Sequence, residues 1–139
     1  MMAEQEIGLR LSREAAPSER QPRILLIDDD EAVRLLLSRV FQMQKWRVTA
    51  VGSGREALEA WPVEGESYDA IVMDINMPGM DGYQTFRHLR ERHPEVRCLF
   101  ISGRMDENIV RQIEAEGLTC LAKPVPLDDL IAHIRRLLE

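Results

Sequence analysis

The chain has 139 residues, of which 45% are hydrophobic and 30% are charged, and its formal net charge is −6. A chain of this length forms one domain, and an acidic chain without a block of Lys and Arg is not expected to bind nucleic acid or a membrane surface directly. The sequence has neither an apolar run long enough to cross a membrane nor the apolar segment of a signal peptide, so we expect a cytoplasmic protein.

The first predicted strand follows a polar N-terminal segment. Residues 1–22 combine many charges with few apolar side chains, and we expect them to form a flexible arm outside a domain that covers residues 23–139. The apolar run 24–27 predicts a buried strand that ends in three consecutive acids. Asp30 is the expected N-cap of the helix that follows. Helical spacing places five apolar residues on one face of this helix, namely Val33, Leu36, Leu37, Val40 and Phe41.

The middle of the chain contains the most apolar of the predicted strands. Residues 46–51 predict a weaker strand, and the capping-box spacing at 53–56 starts a short helix. The apolar run 70–73 then leads into Asp74. The Met-Pro-Gly turn that follows ends this strand, because proline donates no backbone hydrogen bond and glycine favours a turn. A helix is expected over residues 82–92.

The last third of the chain continues the same alternation. Residues 98–101 predict a fourth strand that ends at Ser102, and Asp106 caps the next helix. Residues 118–122 predict a fifth strand that ends at Lys123, and a strongly amphipathic helix follows it. Five strands that alternate with five helices, four of the strands strongly apolar, predict an α/β fold with a parallel sheet covered by helices on both faces.

Five reactive side chains follow the carboxyl ends of these predicted strands: Asp28, Asp29, Asp74, Ser102 and Lys123. Parallel strands bring their carboxyl ends to one edge of the sheet, which is where ligands bind in such folds. Three carboxylates at one place repel one another unless a cation neutralises them or their pKa values rise. Mg²⁺ prefers oxygen ligands and accepts phosphate oxygens as well. Asp74 is therefore a candidate nucleophile toward phosphorus, with the lysine and the hydroxyl assisting.

Four segments of the sequence resemble the signatures of the receiver domain of bacterial two-component response regulators, the CheY-like superfamily. The resemblance covers residues 23–138 and implies a flavodoxin-like, doubly wound five-stranded sheet of order 2-1-3-4-5. It makes Asp74 the acceptor of a phosphoryl group from the phosphohistidine of a sensor histidine kinase or phosphotransfer protein. It also places Ser102 at the family's hydroxyl position and Lys123 beside the phosphate. The four segments are Ile-Leu-Leu-Ile-Asp-Asp-Asp, Met-Asp-Ile-Asn-Met-Pro-Gly-Met-Asp-Gly, Phe-Ile-Ser-Gly and Leu-Ala-Lys-Pro.

The same resemblance implies a Mg²⁺ site. Asp29, Asp74 and the backbone carbonyl of Asn76 would bind the ion directly, and Asp28 would act through water. The implied function is that of a signalling switch that alters partner binding. Such a domain is not an enzyme beyond its own phosphorylation and dephosphorylation.

The sequence departs from the family's usual pattern at two positions. Gly103 follows Ser102 where the family usually has alanine, and Cys120 stands where it often has an aromatic residue. Without that ring, an aromatic flip cannot report activation, and the small side chain is hypothesised to leave a pocket beside the helix after Ser102. Asn76 and Arg104 flank the site, at positions that tune the phosphate lifetime in the family. A role in the turn for Asn76 and simple solvent exposure for Arg104 are equally good interpretations.

Two other functions compete with the switch. Asp28 and Asp30 are spaced as in haloacid-dehalogenase-like Mg²⁺-dependent phosphatases, but Glu31 and Ala32 stand where that family has a Gly-Thr-like pair. A receiver-like module that binds without phosphorylation is the other alternative. The glycine pair at 52–54 lacks the full nucleotide-binding fingerprint, and we discount it.

The sequence does not identify the downstream partner. We expect partners, and a weak homodimer, to use the face made by the last two helices and the last strand. Because the chain ends after a whole helix, we expect a single-domain regulator, although a piece of a hybrid kinase is the alternative.

Overall fold

The structure is a computed structural model, and it describes residues 21–61, 67–104 and 106–139. Within these residues five strands alternate with five helices, as the sequence predicts. The expected N-terminal arm lies almost wholly outside the described residues, so its boundary with the domain stays a prediction. The elements are β1 (Arg23–Ile27), α1 (Glu31–Met43), β2 (Arg47–Val51), α2 (Gly54–Ala60), β3 (Ala70–Asp74), α3 (Gly82–Arg92), β4 (Cys98–Ser102), α4 (Glu107–Ala115), β5 (Thr119–Ala122) and α5 (Leu127–Leu138).

The five described strands form one parallel sheet in the order β2-β1-β3-β4-β5. This arrangement confirms the flavodoxin-like order 2-1-3-4-5. Strands β3 and β4 are buried along their whole length, whereas β2 and β5 lie at the edges and are partly exposed. The edge position of β2 explains why its sequence reads as the weaker strand, since an edge strand needs fewer apolar residues.

The core consists of two clusters, one on each face of the sheet. Helices α2, α3 and α4 cover one face, where Ala57, Phe86 and Ile113 pack against Leu25, Ile71 and other strand residues. Helices α1 and α5 cover the opposite face over the alternate strand residues. Because successive side chains of a strand point to opposite faces, each central strand needs apolar residues at every position. The doubly wound architecture therefore follows from the apolar runs of the sequence.

Aspartate side chains cap several helices at the residue where each helix begins. Asp30 accepts hydrogen bonds from the backbone of Ala32 and Val33, and Asp106 caps α4 in the same way. Both caps confirm the sequence prediction. Among the described residues, no helix is both long and apolar enough to cross a membrane.

One predicted inward-facing residue of α1 is exposed. Leu37 and Phe41 are buried as expected, but Leu36 is 55% exposed, so the prediction that it lies on the core face is wrong. Its neighbour Leu35 is 59% exposed. The helix is apolar over more of its circumference than one face of the sheet can cover, and spacing alone cannot say which residues of a wide apolar stripe are buried. The structure thus leaves an apolar surface on α1.

Candidate functional site

Four strands deliver the predicted reactive side chains to one edge of the sheet. Asp28 follows β1, Asp74 ends β3, Ser102 ends β4 and Lys123 follows β5. The ammonium of Lys123 lies 3.1 Å from Asp28 Oδ2 and 3.5 Å from Asp74 Oδ2. Residues from the first and last strands therefore meet over the central strand. The cavity at this edge is lined by Asp28, Asp29, Asp30, Asp74, Asn76, Gly103, Arg104 and Lys123.

Three of these acids are arranged as a cation site. Asp28, Asp29 and Asp74 each present a carboxylate oxygen, and these oxygens all lie within 4.8 Å of one another. Asp28 and Asp74 are buried, whereas Asp29 is exposed to solvent. A set of carboxylate oxygens with one open side matches the chemistry of a hard divalent cation such as Mg²⁺, which keeps part of its water shell. The donor set therefore fits the expected ion.

The charge of the cluster perturbs Asp74. Burial, and then repulsion by Asp28, raise the pKa of Asp74 to about 6, against the opposing effects of Lys123 and the backbone of Asn76. Burial alone would lower the pKa of Lys123, but its hydrogen bond to Asp28 and the charge of Asp74 raise it. The lysine therefore stays protonated but does not neutralise two carboxylates. This residual negative charge is what a bound cation would offset.

Asp28 is held by a residue that the sequence reasoning missed. Arg34, on the first turns of α1, donates a hydrogen bond from Nη1 to the backbone carbonyl of Asp28 at 2.7 Å. Asp28 Oδ1 also accepts from the backbone of Asp30 at 2.9 Å. The guanidinium needs the space above Gly52, where an added Cβ would lie 2.8 Å from Nη1. A glycine directly after an edge strand is the signal in the sequence for this close approach.

Asp74 is held by the turn that follows it. The backbone N–H of Asn76 donates to Asp74 Oδ1 at 3.0 Å, and the N–H of Gly82 donates to the carbonyl of Ile75 at 3.0 Å. Helix α3 begins so close to β3 that a Cβ at Gly82 would lie 2.3 Å from the carbonyl oxygen of Asp74. The final glycine of the Met-Pro-Gly-Met-Asp-Gly segment is therefore required by close backbone approach.

Ser102 contacts the connection that follows β3 as well as its own connection after β4. Its hydroxyl lies 2.7 Å from Asn76 Oδ1 and also contacts the carbonyl of Arg104. Asn76 Oδ1 further accepts from the backbone N–H groups of Gly103 and Arg104, at 2.9 and 3.0 Å. The side chain of Asn76 thus joins the β3–α3 connection to the β4–α4 connection. Spacing along the sequence gave no sign of this contact.

The two positions that depart from the family pattern differ in their surroundings. Gly103 is exposed and lines the acidic cavity, and an added Cβ there would lie 3.9 Å from Lys123 Cδ. Cys120 is half-buried on β5 and packs against the core cluster that contains Phe100, its partner on β4. Burial raises the pKa of its thiol. The hypothesised pocket beside α4 stays a prediction.

Comparisons with known proteins agree with this geometry. The model of the response regulator receiver domain family matches residues 24–135 of the chain. The chain is 35% identical over 117 residues to the sensor kinase CckA of Brucella abortus, which covers 84% of this chain and 12% of CckA. It is 35% identical over 118 residues to the response regulator MprA of Mycolicibacterium vanbaalenii, which covers 84% of this chain and 50% of MprA. The chain thus spans half or less of these two relatives.

A solved structure shows the same likeness. The BeF3-activated DrrB receiver domain is 25% identical and superposes with a TM-score of 0.74, which covers 86% of this chain and 98% of that chain.

Proposed function

The chain belongs to the response regulator receiver domain family, and from this premise we propose that it is a signalling switch in which Asp74 accepts a phosphoryl group. The donor is the phosphohistidine of a sensor histidine kinase or phosphotransfer protein, and the reaction depends on Mg²⁺. The observation that carries the proposal is the meeting of Asp28, Asp29 and Asp74 around one cation-sized space, with Lys123 beside them.

The arrangement supports attack by Asp74. A carboxylate oxygen of Asp74 forms a bond to phosphorus while the phosphorus–nitrogen bond of the donor breaks and its electron pair returns to the imidazole. With a pKa of about 6, Asp74 is mostly ionised at neutral pH and so keeps its nucleophilic form. The ammonium of Lys123 lies 3.5 Å from Asp74 Oδ2, where it would offset negative charge on a phosphoryl group carried by Asp74. When bound, Mg²⁺ supplies the remaining positive charge and orients the phosphoryl group.

The other site residues take supporting roles in this proposal. Asp29, Asp74 and the backbone carbonyl of Asn76 would bind the ion, and Asp28 would act through water. Arg34 holds the backbone of Asp28 in place. Ser102 and the N–H of Gly103 lie at the same edge and would serve as neutral donors to a phosphoryl group on Asp74.

The phosphodonor is proposed to dock on an apolar groove beside the site. The groove runs between α1 and α5, and its lining continues into the acidic cavity through Gly103 and Lys123. Leu36 and Leu127 expose apolar surface on its two sides. A partner that brings a phosphohistidine to Asp74 would cover this groove. The face of α4, β5 and α5 stays the predicted surface for downstream partners and a weak homodimer, and the cytoplasmic location also stays a prediction.

The test is intact mass after incubation with Mg²⁺ and acetyl phosphate. We expect one added phosphoryl group on the natural chain, none on Asp74→Asn and none when EDTA removes the metal. Released phosphate is measured in parallel, because rapid hydrolysis can hide the adduct. If neither an adduct nor Asp74-dependent phosphate release appears, the switch proposal is wrong, and a module that binds without phosphorylation takes its place. Steady turnover of an added phosphoester would instead favour the phosphatase alternative.

A further inference from the structure

The side chain of Asn76 is fully engaged by one short segment. Its Oδ1 accepts hydrogen bonds from Gly103 N and Arg104 N, at 2.9 and 3.0 Å, and lies 2.7 Å from Ser102 Oγ, while its Nδ2 lies 3.4 Å from the carbonyl of Arg104. The single hydrogen of the Ser102 hydroxyl is shared between Asn76 Oδ1 and the carbonyl of Arg104, and the two backbone N–H groups already fill the two lone pairs of the amide oxygen. We call these four contacts the Asn76 bridge. A turn residue that only shaped its own loop would bond locally, whereas this bridge spans 26 to 28 residues of sequence.

The bridge is attached directly to the acceptor acid. Asn76 lies two residues after Asp74, and its backbone N–H donates to Asp74 Oδ1 at 3.0 Å. The backbone of Asn76 therefore contacts the reacting carboxylate while its side chain holds the segment after β4. Movement of residues 102–104 relative to Asn76 must break bonds to the Asn76 amide.

The bridge holds the same donors that a phosphorylated Asp74 would need. The hydroxyl oxygen of Ser102 lies 2.7 Å from Asn76 Oδ1, the N–H of Gly103 donates to the same oxygen, and Gly103 lines the acidic cavity. Phosphoryl oxygens carry charge, and hydrogen bonds to charged acceptors are stronger than those to a neutral amide. A phosphoryl group within reach of these donors would therefore compete with Asn76 for them, and taking them would break the bridge.

We propose that Asn76 is a positioning residue for Ser102, and that its side chain holds residues 102–104 in the unphosphorylated conformation. The inference rests on the proposed function, because it assumes that Asp74 carries a phosphoryl group. The bridge then sets how far the free protein populates the conformation that receives phosphate. A ligand that binds only this conformation has an apparent affinity equal to its intrinsic affinity multiplied by the fraction of molecules in that conformation.

The test compares beryllofluoride binding, in the presence of Mg²⁺, by the natural chain and by Asn76→Ala. Beryllofluoride mimics a phosphoryl group on the acid, and isothermal titration calorimetry gives its affinity. Loss of the bridge should tighten binding about fivefold or more, the factor expected when one net hydrogen bond no longer opposes the change. Binding of Mg²⁺ alone is measured for both chains, and the beryllofluoride affinities are compared at saturating Mg²⁺, because the backbone carbonyl of Asn76 is a proposed ligand of the ion.

The direction of the effect separates a positioning role from a structural one. Asn76→Ala should melt at a lower temperature because it loses native hydrogen bonds, yet it should bind beryllofluoride more tightly. A residue that only supports the turn would weaken both properties. Asn108, the other asparagine of the chain, is exposed on α4, and Asn108→Ala is the matched control that should change neither.

A second measurement does not depend on any variant of Asn76. In the natural chain labelled at asparagine, only two side-chain amides contribute signals to the NMR spectrum. Beryllofluoride with Mg²⁺ should shift the side-chain amide signals of Asn76 and leave those of Asn108 in place. Unchanged Asn76 signals on saturation, or equal or weaker binding by folded Asn76→Ala, would overturn the inference while leaving the proposed function intact. If the natural chain binds no beryllofluoride, both are wrong.

Discussion

Removing the charge of Asp74 should stabilise the metal-free protein. The pKa of this carboxyl is raised from 3.8 to about 6, chiefly by burial and then by Asp28. One pKa unit corresponds to about 1.4 kcal/mol, so ionising Asp74 in the folded protein costs about 3 kcal/mol relative to the unfolded chain. Because the folded state holds this proton more tightly, the cost is absent below about pH 4 and complete well above pH 6. Asp74→Asn should therefore gain about 3 kcal/mol of unfolding free energy at pH 8.

The assay is urea denaturation in EDTA at pH 4, 6 and 8, with the natural chain, Asp74→Asn and Asp128→Asn. Asp128 is exposed on α5 and controls for the loss of one surface charge. The gain for Asp74→Asn should grow from near zero at pH 4 to its full size at pH 8. Saturating Mg²⁺ should then narrow the gap, since a ligand at 100 times its dissociation constant stabilises the natural chain by about 2.7 kcal/mol. A variant no more stable than the natural chain at pH 8, or a gain that does not vary with pH, would refute the reasoning.

Three further predictions concern single side chains. Gly82→Ala should lower the free energy of unfolding by at least about 2 kcal/mol and abolish phosphorylation, because its Cβ would meet the carbonyl of Asp74. Gly103→Ala should change neither property, since the added Cβ has space there. Thermal melts and the acetyl phosphate assay compare the two variants. Leu36→Asp should slow transfer from a phosphohistidine donor at least about tenfold but leave labelling by acetyl phosphate unchanged. Met43→Asp, at the far end of α1, is the control and should change neither rate. If Leu36→Asp and the natural chain accept phosphate from the donor at equal rates, the groove is not a docking site. Cys120→Tyr should alter phosphorylation-dependent partner binding, and if a pull-down shows no difference, the hypothesised pocket has no signalling role.

The fold was predictable because its signals are local. Three kinds of pattern each indicate a structure within a few residues. They are apolar runs buried on both faces, acids that cap helices, and the proline turn after Asp74. Strand order could not be worked out from these patterns, because no local pattern encodes which strands are neighbours. It came from the resemblance to a family.

The site was predictable in its charged residues and less so in their supports. Charged side chains at strand ends must meet at the edge of a parallel sheet, so Asp28, Asp74 and Lys123 were identifiable. The Asn76 bridge and the contact of Arg34 with the carbonyl of Asp28 depend on the distance between connections that are far apart in sequence. The prediction for Leu36 was wrong because periodicity shows that a helix is amphipathic but does not show how much of its apolar face the sheet and the other helices cover.

The ion pair between Asp28 and Lys123 joins two residues that are 95 positions apart in the sequence. During translation Asp28 is synthesised early, and Lys123 is synthesised near the end of the domain. During synthesis the acidic cluster thus exists before its permanent counter-charge, and the cluster cannot close until β5 has emerged and added itself to the sheet. In the proposed function, Lys123 must lie beside Asp74 before the chain accepts a phosphoryl group, so a chain that lacks β5 should not be phosphorylated.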